Sequence, residues 1–201
     1  MKDDVVIAFA PVGADLWVVT RCELGLRHSR LRFWRHDSAG LASWHQADVH
    51  DLSHDVALVP RGDAVLVAWF AAVAGERCLV LQHFDAAGGG SARTITPDGV
   101  PIGAPVMMAL EDGWLIAVEL LERGVFCVKL DARLAGELVQ VPGLGEHRPV
   151  ALQPAAGGAR LIAARCDADA SERDPGLVRV LLDYAATGAD AFCRSAVITA
   201  A

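Results

Sequence analysis

Apolar residues in this chain come in short runs, each broken by Gly, Pro or Asp. Four of these runs align without gaps at roughly 50-residue intervals: Leu16-Trp-Val-Val-Thr-Arg21, Val65-Leu-Val-Ala-Trp-Phe70, Trp114-Leu-Ile-Ala-Val-Glu119 and Arg160-Leu-Ile-Ala-Ala-Arg165. A second apolar run follows each one and ends in Asp, then Gly, at Asp37…Gly40, Asp85…Gly88, Asp131…Gly136 and Asp183…Gly188. The runs are short and rich in β-branched residues, which is the mark of strands. Leu115–Leu121 could pass for a helix, but its alignment with three sister runs makes it a strand. Each unit is read as four strands, A to D. The first has Val5–Phe9, Leu16–Arg21, Arg30–Arg35 and Ala42–Val49; the second has Val56–Val59, Val65–Phe70, Cys78–Phe84 and Ala92–Thr96. The third has Val106–Ala109, Trp114–Leu120, Val125–Leu130 and Leu138–Val141; the fourth has Val150–Leu152, Leu161–Arg165, Leu177–Leu182 and Ser195–Thr199.

The breakers fit these boundaries. Gly13, Gly62, Gly113 and Gly157-Gly158 fall between A and B, where a tight turn needs a small residue. Pro60 and Pro154 close strand A, and Pro105 and Pro149 are expected just before it, since a missing N–H is tolerated at a strand edge. The B runs are continuously apolar, as expected of strands packed on both faces. The C runs Arg30-Leu-Arg-Phe33 and Val178-Arg-Val180 alternate, as expected of half-exposed strands.

Strands in four units of this length resemble the small β-propeller repeat proteins. The resemblance spans nearly the whole chain and rests on the apolar B strand and the Asp-to-Gly turn after strand C. The Gly-His and Trp-Asp pair of WD40 repeats, the Ser-x-Asp-x-Gly-x-Thr-Trp box and the kelch pattern are all missing, so no subfamily's functional residues carry over. The expected fold is all-β: one propeller domain over residues 1–201, with four four-stranded blades at about 4–54, 55–104, 105–148 and 149–201. The blades close either within one chain as a four-bladed disc, the preferred reading, or between two chains as an eight-bladed ring. The chain is therefore a monomer or a homodimer, because unpaired strand edges are sticky.

Composition narrows the partners. A net charge of −7 and a pI near 5.4 disfavour nucleic acid and anionic membrane surfaces. No apolar stretch is long enough to span a bilayer, and Met-Lys-Asp-Asp does not open a secretory signal. Five irregularly spaced cysteines suit a reduced, cytoplasmic protein. The absence of Asn and the scarcity of Lys suggest a GC-rich bacterial genome.

Candidate chemistry gathers where the B–C and D–A loops of a propeller share one rim. The B-strand ends Arg21, Phe70, Glu119 and Arg165 would be equivalent there, with His54, His147 and Arg148 from the D–A loops and Glu23, Glu122 and Asp167 from the B–C loops. Such convergent polar groups are what a small-ligand site needs, although strand ends also carry charge simply because they meet water. His50 and His54 have helical metal-site spacing without a helix, so no metal is expected. Asp37, Asp85, Asp131 and Asp183 are read as turn caps rather than calcium ligands. Cys22 is the rim thiol nearest to cations, yet no nucleophile motif surrounds it. The five tryptophans read as packing residues, with Trp34 and Trp44 the most exposed.

With no catalytic motif and no cofactor motif, the sequence favours a noncatalytic scaffold that docks a protein partner through the rim, and weighs against an enzyme. The alternative is an enzyme or small-molecule-binding propeller that uses the polar ring at the mouth of the central channel.

Overall fold

The apolar runs become strands with antiparallel neighbours. In the computed structural model of the chain, the described residues are 4–52, 56–86, 89–156, 158–166, 177–183 and 198–200. They divide into two units, Met1–Asp98 and Gly99–Ala201.

The first unit holds β1 (Asp4–Val12), β2 (Asp15–Gly25), β3 (His28–Asp37), β4 (Gly40–His50), β5 (Val56–Arg61), β6 (Ala64–Val73), β7 (Glu76–Phe84) and β8 (Gly90–Ile95). The first four pair in chain order, and β5 to β8 do the same. A single residue pair, His50 with Ala72, joins the two runs into one sheet. The second unit holds β9 (Pro101–Ala109), β10 (Gly113–Leu120), β11 (Gly124–Asp131) and β12 (Val139–Gln140) in one sheet. Its other sheet is β13 (His147–Ala155), β14 (Gly158–Arg165), β15 (Leu177–Asp183) and β16 (Ile198–Ala200). Each expected strand overlaps an observed one, and among the described residues no sheet closes on itself.

The turn caps follow from the recurring aspartates. Asp37 accepts the Ala39 N–H at 2.8 Å, Asp85 the Gly89 N–H at 2.8 Å, and Asp131 the N–H groups of Arg133 and Ala135, both at 2.8 Å. A short carboxylate that satisfies its own turn's donors explains the repeat without a metal. The turn after Asp183 lies outside the described residues.

Two expectations about local structure change. Pro105 and Pro149 lie inside β9 and β13 rather than before them. Both strands are at the edge of their sheet, and each breaks register at that point, between the Ala117/Val106 and Glu119/Ile102 pairs and between Pro149 and Ala151. A bulge on an edge strand accommodates the missing N–H. Burial of the B strands also differs between runs. β6 and β10 are buried along almost their whole length, whereas β2 leaves Leu16 39% exposed and β14 leaves Arg160 exposed.

Each unit has its own core. In the first, Trp17, Val19, Leu31 and Phe33 pack with Val65, Val67, Trp69 and Phe84. In the second, Leu115, Ala117, Val125 and Cys127 meet Leu161, Ala163, Val180 and Leu182, with Val141 and Leu144 filling in from the β12–β13 connection. That connection therefore anchors in the core while its polar residues face outward, and this positions the site.

Candidate functional site

In the second unit four strand ends meet. β10 ends and β9 begins there, and β14 ends and β13 begins. Register sets Glu119 between Ile102 and Val125, and His147 opposite Arg165. Backbone hydrogen bonds fix the loops between them. Leu121 N–H donates to the Val100 carbonyl at 2.8 Å, and Val125 N–H to the Leu144 carbonyl at 3.1 Å. His147 N–H donates to the Leu144 carbonyl at 3.3 Å, and Cys166 N–H to the Glu146 carbonyl at 2.8 Å.

These loops surround a cavity of about 410 Å³, lined by Ile102, Glu119, Glu122, Glu146, His147 and Cys166 among others. The volume lies within the range of small-molecule sites. Gly124, at φ +80°, lets the β10–β11 turn pass directly against the Leu144 and Gly145 backbone.

Glu119 is the chemically distinctive residue. Partial burial at the end of β10 pushes its carboxyl group up from the usual carboxylate range, while a hydrogen bond from the Cys166 thiol (3.4 Å to Oε1) and the Arg148 charge hold it back. Its partners in the cavity, Glu122 and Glu146, are exposed, and His147 is half-buried. One half-buried carboxyl group beside two exposed ones is an arrangement suited to proton transfer.

The shift has a stability consequence. A carboxyl group whose folded value is raised contributes stability below its unfolded value, and that contribution is lost as pH rises through the folded value. Glu119→Gln removes the titration. Thermal melts should therefore show the variant gaining on the wild type as pH rises through and above the ordinary glutamate range, with the gain vanishing at the acid end.

The residues expected at the rim are distributed as follows. Glu119, Glu122 and His147 line the one cavity. Arg148 is exposed and acts on Glu119 through its charge. Arg165, half-exposed, lies 4.0 Å from Glu146. Arg21 and Phe70 belong to the first unit. The Arg21 guanidinium is 2.7 Å from the Glu23 carboxylate. Phe70 is fully buried, which makes it a packing residue in β6. His54 and Asp167 lie outside the described residues. Cys22 is half-buried, with its thiol 3.9 Å from the Glu23 carbonyl.

Trp34 and Trp44 are half-buried, and both are held by neighbours: the Trp34 indole N–H donates to Thr20 at 2.9 Å, and Trp44 stacks on Trp17 with Arg35 over its face. His50 stacks on His28 across β3 and β4 at 4.5 Å. Among the described residues, no cluster of three or more side chains could hold a metal ion, and no helix is long and apolar enough to cross a membrane.

The sequence reading missed Cys166 and Glu146. Cys166 follows the fourth B strand as Cys22 follows the first, so the repeat alignment carried a signal for it. Glu146 sits next to His147 in the same D–A connection.

No family model and no curated protein matches the chain in sequence. Solved structures do match in fold. One belongs to the GH130 family of mannoside phosphorylases, which contains glycoside hydrolases that target β-1,2-mannosidic linkages in Candida mannan. It has a TM-score of 0.51 at 10% identity, over 98% of this chain and 70% of that one. Another, named a candidate glycoside hydrolase from Parabacteroides distasonis, has a TM-score of 0.51 at 10% identity, over 97% of this chain and 71% of that one. At this identity the likeness carries the fold, and it supports a β-propeller.

The neighbours also correct the functional expectation. Solved structures that share the fold are described as glycoside hydrolases, against the reading of a noncatalytic scaffold docking a protein partner and against the leaning away from an enzyme. The physical reason is that catalytic groups can be drawn from separate strand ends and loops, so the lack of a contiguous motif does not weigh against chemistry.

Proposed function

We propose that the second-unit cavity is a glycoside-binding site and that the chain is a glycoside-directed hydrolase. The observation that carries this reading is the half-buried Glu119 carboxyl group, its protonated form favoured by burial, at the wall of a ligand-sized cavity. The mannoside-directed description of a fold neighbour supports the substrate class. The finer architecture belongs to the same proposal: the four strand runs act as four blades of the propeller.

In this mechanism Glu119 gives its proton to the glycosidic oxygen as the bond to the anomeric carbon breaks. Water attacks that carbon, loses one proton to a second carboxylate, Glu122 or Glu146, and keeps the other as the new anomeric hydroxyl. Incubation with β-1,2-mannobiose, whose sugar leaving group needs protonation, tests the reading. Mannose release by the wild type, lost in Glu119→Gln, is the expected result, and an equal rate in the variant would remove Glu119 from the chemistry.

A further inference from the structure

The cavity wall contains one polar contact that the proposed reaction does not use. Cys166 follows directly on β14, and its backbone N–H is fixed by the Glu146 carbonyl at 2.8 Å. Its Sγ lies 3.4 Å from Oε1 of Glu119, on a different sheet of the same unit. Across the carboxyl group, a Cβ added at Gly103, on the bulge of β9, would come within 3.9 Å of Oε2. The two oxygens of Glu119 are therefore inequivalent, one facing a thiol donor and the other a backbone without a side chain.

We propose that Cys166 is a positioning residue for Glu119: its S–H donates to Oε1, fixes the rotation of the carboxyl plane, and leaves Oε2 as the oxygen that carries and delivers the acid proton. The proposal rests on the reading of Glu119 as proton donor. The geometry itself does not depend on any substrate.

The thiol is a weak donor, yet it acts on a partly desolvated acceptor, where a hydrogen bond is stronger than in water. The other charged or titratable groups facing Glu119 are Arg148 and His147 from β13, Glu146 from the loop before it and Glu122 from the β10–β11 turn. Arg148 is exposed, so its charge is screened by solvent. Among these groups, the thiol makes the hydrogen bond to Oε1 that sets orientation.

Carbon-detected NMR of the Glu119 carboxyl group, titrated without substrate, separates this inference from the functional reading. Cys166→Ala removes the donor. The Glu119 midpoint is expected to move further upward, because a bond that favours the ionised form is lost. Cys166→Ser keeps a donor at nearly the same place and is expected to bring the midpoint back toward the wild type.

A midpoint unchanged in Cys166→Ala overturns the proposal. So does an equal rise in both variants, which would assign the effect to packing rather than to donation. If the midpoint responds while wild-type protein leaves every mannoside intact, the thiol-to-carboxylate hydrogen bond stands, and the hydrolase reading fails together with proton delivery from Oε2. If mannosides are turned over, Cys166→Ala is expected to lose about three- to tenfold in kcat with KM unchanged, the size of one modest hydrogen bond.

Discussion

Gly124→Ala is expected to destabilise the second unit by roughly 2–4 kcal/mol. Two costs combine. The residue sits at φ +80°, which L side chains rarely adopt, and a Cβ there would run into the Leu144 carbonyl oxygen and the Gly145 backbone. Neither obstacle can move cheaply. The Leu144 carbonyl accepts N–H groups from Val125 and His147, and the Leu144 side chain is fully buried in the core. The same clash would push the β12–β13 connection away from the turn and open the cavity. Gly145→Ala is the control, because a Cβ at that position meets nothing within 4 Å and the change should stay within about 0.5 kcal/mol. Trp114 is the one tryptophan of the second unit, so its resonance in fluorotryptophan NMR during urea unfolding follows that unit, while the other four follow the first.

The larger effect in rate terms is expected from Glu119→Gln. General acid catalysis by a positioned side chain contributes about 10²–10⁴-fold. Glutamine preserves the shape but has no proton to give, so kcat should fall by that factor while KM changes little. Glu119 is half-buried in the wild type, so its raised midpoint should set the alkaline limb of the wild-type rate profile, and that limb should disappear in the variant. Aryl glycosides with better leaving groups need less protonation, so the loss should shrink along a leaving-group series. A uniform loss across that series would point to damaged binding rather than to a missing acid.

Much of the architecture was legible in the sequence because strand formation here depends on local chemistry. Continuous apolar runs such as Val65–Phe70 and Trp114–Val118 became buried strands, and Asp37, Asp85 and Asp131 capped their own turns. Pro105 and Pro149 were misplaced because a bulge depends on the partner strand, which the local sequence does not specify. The site was legible only in part. Aligning B-strand ends pointed to Glu119, and the rim loops to Glu122 and His147. The same alignment gave equal weight to Phe70, whose apolar neighbours on β6 extend past it through Ala71 and Ala72 and leave its ring buried. Cys166 and Glu146 gain their meaning from contact with other elements, the thiol with Glu119 and the Glu146 carbonyl with the Cys166 N–H. The functional reading erred for a related reason: it took the lack of a contiguous motif as a lack of chemistry, whereas carboxyl groups drawn from several loops leave none.

The central claim is that the second-unit cavity receives a glycoside, and amide NMR of the wild-type protein titrated with β-1,2-mannobiose tests it most directly. Saturable shifts at Leu120–Gly124, Gly145–His147 and Cys166 are the predicted result. Shifts confined to the first unit, or none at millimolar sugar, would contradict it.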